Sequence, residues 1–208
     1  MTFSLVNKAE KEYNMTNDST KDTIIEKSLE LFAEKGYSAV SMRDIAGAVG
    51  IRSSTIYYYF KSKQDIFGAM TEKAETAIGE QEGIFIQALN SVSEIKREEL
   101  VLAGVHHVTD YLRNEKMDQL LRTLESERFH DASANMVWKR FLFDMPAKHE
   151  EKVFENLLDR GLVTGEAKML ADEYHSIIML GYFSEDTDRL ADMLRDFYNR
   201  VFCVEEYD

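Results

Sequence analysis

The chain has 208 residues, 44% of them hydrophobic, with ten glycines and one proline; this suffices for one ordinary domain or for a small head on a larger body, and turn-forming residues are too sparse for a hairpin-built protein. The single Cys203 excludes an intrachain disulfide and argues against a cysteine metal site, while the longest apolar stretch, Ile177 to Phe183, is too short to span a bilayer. The expectation is an all-α cytoplasmic protein without a membrane partner, and its net charge of −13 at first opposes nucleic acid as a partner.

In chain order, residues 1–18 mix charge with Asn, Ser and Thr and are predicted to form a flexible arm, with Met15 an alternative start. From Ser19 or Thr20 a helix is predicted to Lys35, with Ile25, Leu29 and Phe32 on one stripe and Gly36 as its stop. Ser41 is placed to cap a second helix, Met42 to Val49, with Ile45 and Val49 turned inward; Gly50 then makes the break. A third short helix runs from about Ser53 to Phe60. Ser62, with Asp65 three residues on, forms a capping-box pattern for a long fourth helix carrying Ile66, Phe67, Met70, Ala74, Ala77 and Ile78 on one face.

Charge divides along the chain. Residues 1–67 hold nine basic and nine acidic side chains, whereas 68–208 hold 16 and 29. Between Gly36 and Lys63, Arg43, Arg52, Lys61 and Lys63 face Asp44 alone, so a small basic island precedes an acidic body. Two short helices around a glycine turn are most often only a structural hairpin. Here Ser53, Ser54, Thr55, Tyr57, Tyr58 and Tyr59 alternate with Ile56 and Phe60, the pattern of a helix that offers a polar face to DNA and keeps apolar anchors behind. Phe32, Ile45, Ala46, Val49, Ile56 and Phe60 are assigned to core packing, and Gly36 and Gly50 to turns.

This stretch resembles the tetracycline-repressor (TetR) family of one-component transcription regulators. The residues that carry the resemblance run Leu31 to Tyr37, Ser41 to Ala46, Val49 to Ile51 and Ser54 to Lys63. It implies that Ser41 caps the second helix and touches phosphate, that Thr55, Tyr57 and Tyr58 are recognition-helix contacts, and that Lys63 meets the DNA backbone. Arg52 and Ser53 fall where the family varies and are candidates for base readout. Ser54 stands where Gly or Ala is common and Tyr59 where His is common, two departures that bear on operator preference. The resemblance also implies an N-terminal three-helix head, residues 19–67, joined to a helical ligand-binding and dimerisation body, residues 68–208. Its partners would be double-stranded operator DNA at a pseudo-palindromic site, a small-molecule effector and a second copy of the chain.

The body reads as further helical stripes: Val101, Val105, Val108 and Leu112; Met117, Leu120, Leu121 and Leu124; Phe154, Leu157 and Leu158. Pro146 is expected to kink or divide the helical stretch from Ala132 to Arg160. Two final helices, about Glu166 to Tyr182 and Thr187 to Phe202, complete the chain. Tyr111, Trp138, Phe141 and Tyr174 are candidate pocket residues, though aromatic core packing is the plainer reading of each. The stripe Leu190, Leu194, Phe197 and Val201, with Tyr174 and Ile178 on the preceding helix, is the candidate dimer interface, with packing on its own body as the alternative. The competing class, a metal- or haem-binding helical protein or enzyme, rests on Glu127 and His130 as one Glu-x-x-His, on His106 with Asp110, and on His106 or His107 as a haem ligand. Di-iron sites need a second such copy and none exists, so no cofactor, metal or catalytic residue is assigned.

Overall fold

The computed structural model describes residues 19–203; the predicted arm at 1–18 lies outside them. Among the described residues the chain is α-helical, with one isolated antiparallel bridge, Val163 to Phe202. The helices are α1 (Thr20–Lys35), α2 (Met42–Val49), α3 (Ser53–Tyr59), α4 (Lys63–Ser91), α5 (Arg97–His106), α6 (Glu115–Glu127), α7 (Ala132–Lys139), α8 (Met145–Asp159), α9 (Ala167–Ser184) and α10 (Thr187–Val201). Two π-helical stretches, His107–Leu112 after α5 and Arg140–Asp144 before α8, join their neighbours without a loop. The second shows how Pro146 is accommodated: the proline occupies the first turn of α8, where its missing N–H costs little, and the wider π turn before it divides the helical stretch.

The chain folds into two compact units. One holds residues 19–80 and 115–140 and the other 81–114 and 141–203, α4 contributing to both. The sequence-defined head lies wholly in the first unit, where α1 also packs on α2 and α6. Its ends are set locally. Ser19 Oγ accepts from the Asp22 amide at 3.2 Å at the start of α1, and Gly36, at φ 81°, closes it with its amide donating to the Phe32 carbonyl.

The second unit is built on α5, α8, α9 and α10 around Leu89, Val101, Phe154, Leu157, Ile178, Leu190, Leu194 and Phe197. Here the expected dimer stripe has another role. Leu194 and Phe197 are 0% exposed, Ile178, Leu190 and Val201 are buried, and Tyr174 packs against the same core. The physical reason is close helix packing: α10 presses Leu190 onto Gly181 of α9 and Leu194 onto Gly104 of α5, at positions where an added Cβ would lie 2.7 Å from a leucine methyl. The stripe therefore packs on its own protomer, the alternative that its spacing left open.

Candidate nucleic-acid interface

The recognition surface is assembled by α2, its turn and α3. Ser41 begins α2 with a full capping box: its Oγ accepts from the Asp44 amide at 3.2 Å, and its own amide donates to Asp44 Oδ2 at 2.9 Å. The Ser41 hydroxyl and amide bonds hold the Asp44 carboxyl below its usual range, so it stays ionised at the helix N-terminus. Gly50, at φ 78°, takes the left-handed conformation that ends α2, and the Ile51 amide returns to the Ala46 carbonyl at 3.0 Å. A side chain with a Cβ would be strained there, which makes Gly50 the pivot between the two helices.

α3 is one-sided. Ile56 is 0% exposed and Phe60 is buried, while Arg52, Ser53, Ser54, Thr55 and Tyr57 are exposed, Tyr58 is 81% exposed and Tyr59 is half-buried. The Tyr59 ring meets Tyr58 edge-on, with centroids 5.2 Å apart. Arg52 is the N-cap of α3 without a side-chain capping bond, its carbonyl accepting from the Thr55 amide at 2.8 Å, and the first turn presents three small hydroxyl residues outward. Eight of the nine side chains proposed for DNA thus lie on or immediately beside the α2–α3 motif. Arg43, in the first turn of α2, and Lys61, just beyond α3, are also exposed. They belonged to the basic island in the sequence, but only their exposure distinguishes them from buried helix residues.

Lys63, the ninth, is built differently. Its Nζ donates to the carbonyl oxygens of Tyr37 at 2.5 Å and Val40 at 2.7 Å, and sits 4.3 Å from the Tyr37 ring centre. Desolvation lowers its pKa, opposed by the charge of Glu127. The ammonium thus braces the α1–α2 turn onto the start of α4. Lys63→Met is expected to destabilise the free protein by about 1–3 kcal/mol, since two charge-assisted hydrogen bonds are lost; thermal denaturation without DNA measures this, and an unchanged melting temperature would refute the brace.

The other sequence candidates separate. Glu127 is buried beside a small cleft lined by Tyr37, Gln64, Phe67, Asp131 and Ala134, whereas His130 is exposed. Among the described residues no three His, Cys, Asp or Glu side chains converge as a metal site. His106 and Asp110 bond each other through Nδ1 and Oδ2. Trp138 lies in the first unit under the Arg128 guanidinium, 4.0 Å from its ring. Tyr111, Phe141 and Tyr174 lie in the second, where Tyr111 stacks on His107 at 5.3 Å and Tyr174 meets Phe154 edge-on at 5.7 Å.

Burial pushes the pKa of His107 and of His149 down to about 4, neighbouring positive charges adding to the effect. In the window from about pH 6.5 down to about 4 the unfolded chain takes up protons that the folded one refuses, so this contribution is complete above the window and lost on acidification. Each excluded imidazole withdraws about 1.4 kcal/mol per pH unit at most. His175 acts in the opposite sense: burial opposes its charge, but the Glu150 hydrogen bond and carboxylate outweigh burial and raise its pKa, a contribution lost as pH rises through that value. Urea midpoints should fall from neutral to mildly acidic pH and fall less in His107→Gln; equal slopes in the two proteins would contradict the assignment.

Residues 24–70 match the family model described as bacterial regulatory proteins, tetR family. The chain is 29% identical over 109 residues to the HTH-type transcriptional regulator AcrR of Shigella flexneri, covering 45% of this chain and 51% of that one. It is 45% identical over 47 residues to IcaR of Staphylococcus aureus strain Newman, covering 23% of this chain and 25% of that one. The chain therefore aligns with about half the length of the first of these curated relatives and a quarter of the second. A TetR-family transcriptional regulator from Mesorhizobium loti MAFF303099 shares its fold with a TM-score of 0.72 at 19% identity, over 88% of this chain and 97% of that one. The choline-bound regulator from Saccharomonospora viridis does so with a TM-score of 0.65 at 16% identity, over 88% and 98%. With its capped helix-turn-helix at residues 24–70, the chain carries a DNA-binding domain of the tetR family of bacterial regulatory proteins, within a helical fold shared with solved TetR-family regulators.

Proposed function

We propose that this chain is a cytoplasmic transcriptional repressor that holds a pseudo-palindromic operator as a homodimer and releases it when a small molecule occupies its helical body. The observation that carries the reading is the one-sided α3, polar and exposed from Arg52 to Tyr58 over the buried anchors Ile56 and Phe60. In this division the head is residues 19–67 and the body 68–208. Base readout falls to Arg52 and Ser53. Ser41, Ser54, Thr55, Tyr57, Tyr58, Tyr59 and Lys63 hold the DNA backbone or base edges, with Arg43 and Lys61 adding charge.

Related proteins support the mode of action. IcaR is named a negative transcriptional regulator of a biofilm operon, and SmeT, of the same fold, is the repressor of a multidrug efflux pump in Stenotrophomonas maltophilia and has been solved with triclosan. The acidic body is no obstacle to operator binding, because the surplus charge lies outside the basic island.

Two heads are needed because one short helix in one groove makes too few contacts for a specific regulator. With the α10 stripe consumed by its own core, the pairing surface we propose is the outer face of α9, where Met169, Leu180 and Phe183 are exposed, Phe183 at 59%. The test is a gel shift against genomic fragments recovered by selection, repeated across a salt series. Tight, sequence-dependent and steeply salt-sensitive binding is expected; binding that ignores sequence or salt would sink the reading.

A further inference from the structure

The second unit holds a polar cluster that core packing does not account for. Glu150 on α8 is 6% exposed. Its Oε1 accepts a hydrogen bond from His175 Nδ1 at 3.1 Å, while Oε2, at 3.1 Å from the same nitrogen, has no hydrogen-bond partner. Leaving a buried acceptor unmet costs about 1–3 kcal/mol, and more when it is charged, so an orphaned carboxylate oxygen inside a folded protein calls for a donor from elsewhere.

The surroundings limit what that donor is. The Phe143 ring meets His175 edge-on at 5.9 Å, Phe85 meets His149 at 6.0 Å, and Glu82 Oε2 lies 4.0 Å from His149 Nδ1. Burial raises the pKa of both Glu82 and Glu150 and keeps His107 and His149 uncharged at neutral pH. Both π-helical stretches reach this cluster, His107 opening the first and Phe143 lying in the second. A π turn widens a helix by one residue and is frequent at functional sites. An anionic ligand would meet the carboxylates of Glu82 and Glu150 and the uncharged His107 and His149, since His175, the imidazole whose charge is favoured, is already engaged by Glu150. A metal ion lacks ligands, since among the described residues no three suitable side chains converge. A cation with an apolar frame meets both needs, a charge for Glu150 and aromatic faces beside it.

We propose that this cluster is the effector site of the body and that its ligand is a small organic cation with an apolar or aromatic frame, the charged group at Glu150 Oε2 and the frame against Phe143. The inference rests on the reading of the chain as a ligand-released repressor. It specifies the chemistry of the ligand, which that reading leaves open.

The test is isothermal titration of the full chain with choline, 2-phenylethylammonium and tetrapropylammonium, beside uncharged 2-phenylethanol and anionic 3-phenylpropionate, each then added to the complex with selected operator DNA. At least one cation is expected to bind and to release the DNA, the anion to do neither, and Glu150→Gln to weaken the cation about tenfold or more. Should that variant fail to fold, Phe143→Leu replaces it, at a site already 40% exposed, with an expected loss of about threefold from the missing ring. No binding by any of the three cations, preference for the anion, binding that leaves the DNA complex intact, or unchanged affinity in the folded variant would overturn the proposal. Operator binding without any compound is measured in the same samples: its absence would defeat the repressor reading, whereas its presence without cation binding would defeat only this inference.

Discussion

Phe197→Ala is expected to cost about 3–5 kcal/mol, a large fraction of the roughly 5–15 kcal/mol by which domains are stable. The ring is fully buried and meets Phe154 at 5.7 Å and Tyr198 at 5.0 Å, both edge-on. Truncation removes its apolar burial and leaves a cavity between α8, α9 and α10 that their packing cannot close. Because every one of these contacts lies within one protomer, the loss read from urea midpoints should not depend on protein concentration. The double variant Leu194→Glu, Phe197→Glu is expected to leave no folded second unit, since two carboxylates would enter a core without partners. Leu180→Glu with Phe183→Glu, on exposed positions, should instead give a folded monomer with weakened operator binding. If Phe197→Ala produced a well-folded monomer from a dimer, the stripe would be an interface after all.

Arg52→Ala should behave in the opposite way, leaving stability within about 0.5 kcal/mol, because the side chain is exposed and makes no capping bond. Its effect belongs to DNA. Loss of one base contact is expected to relax preference at one operator position by about 1–3 kcal/mol, roughly 5- to 150-fold, with affinity for unrelated sequence changed far less. Ile56→Ala is the control, since it removes the anchor beneath the recognition face and should cost about 2–5 kcal/mol of stability together with all operator binding. Competition gel shifts over operators altered one base pair at a time read the difference. A uniform loss across every altered operator would make Arg52 a phosphate ligand and move base readout to its neighbours.

Stability and recognition thus rest largely on different residues, Ser41 and Lys63 serving both, and the two kinds of residue differ in how far the sequence discloses them. Ser41 before the second helix, Ser62 with Asp65 three residues on, Gly50 after an apolar turn, and Pro146 within a helical run each act on backbone groups at most a turn away, so the cap of α2, the capping box of α4, the left-handed break and the division of α7 from α8 were legible in order. The polar face of α3 was legible for the same reason, as a period of alternation over two buried anchors. Amphipathic spacing also identified the α10 stripe, but spacing says only that a face is buried and not against what. Gly104 and Gly181 decide that, by letting two leucines of α10 approach the backbones of α5 and α9 within a single protomer. Lys63 reads as a surface cation until folding brings the Tyr37 and Val40 carbonyls to it across a separation of more than 20 residues. Glu150 and His175 are 25 residues apart on different helices, each unremarkable in its own pattern. Their pairing, and the carboxylate oxygen it leaves unmet, exist only where α8 and α9 pack together, because desolvation and hydrogen-bond geometry depend on neighbours in space that helical periodicity does not specify.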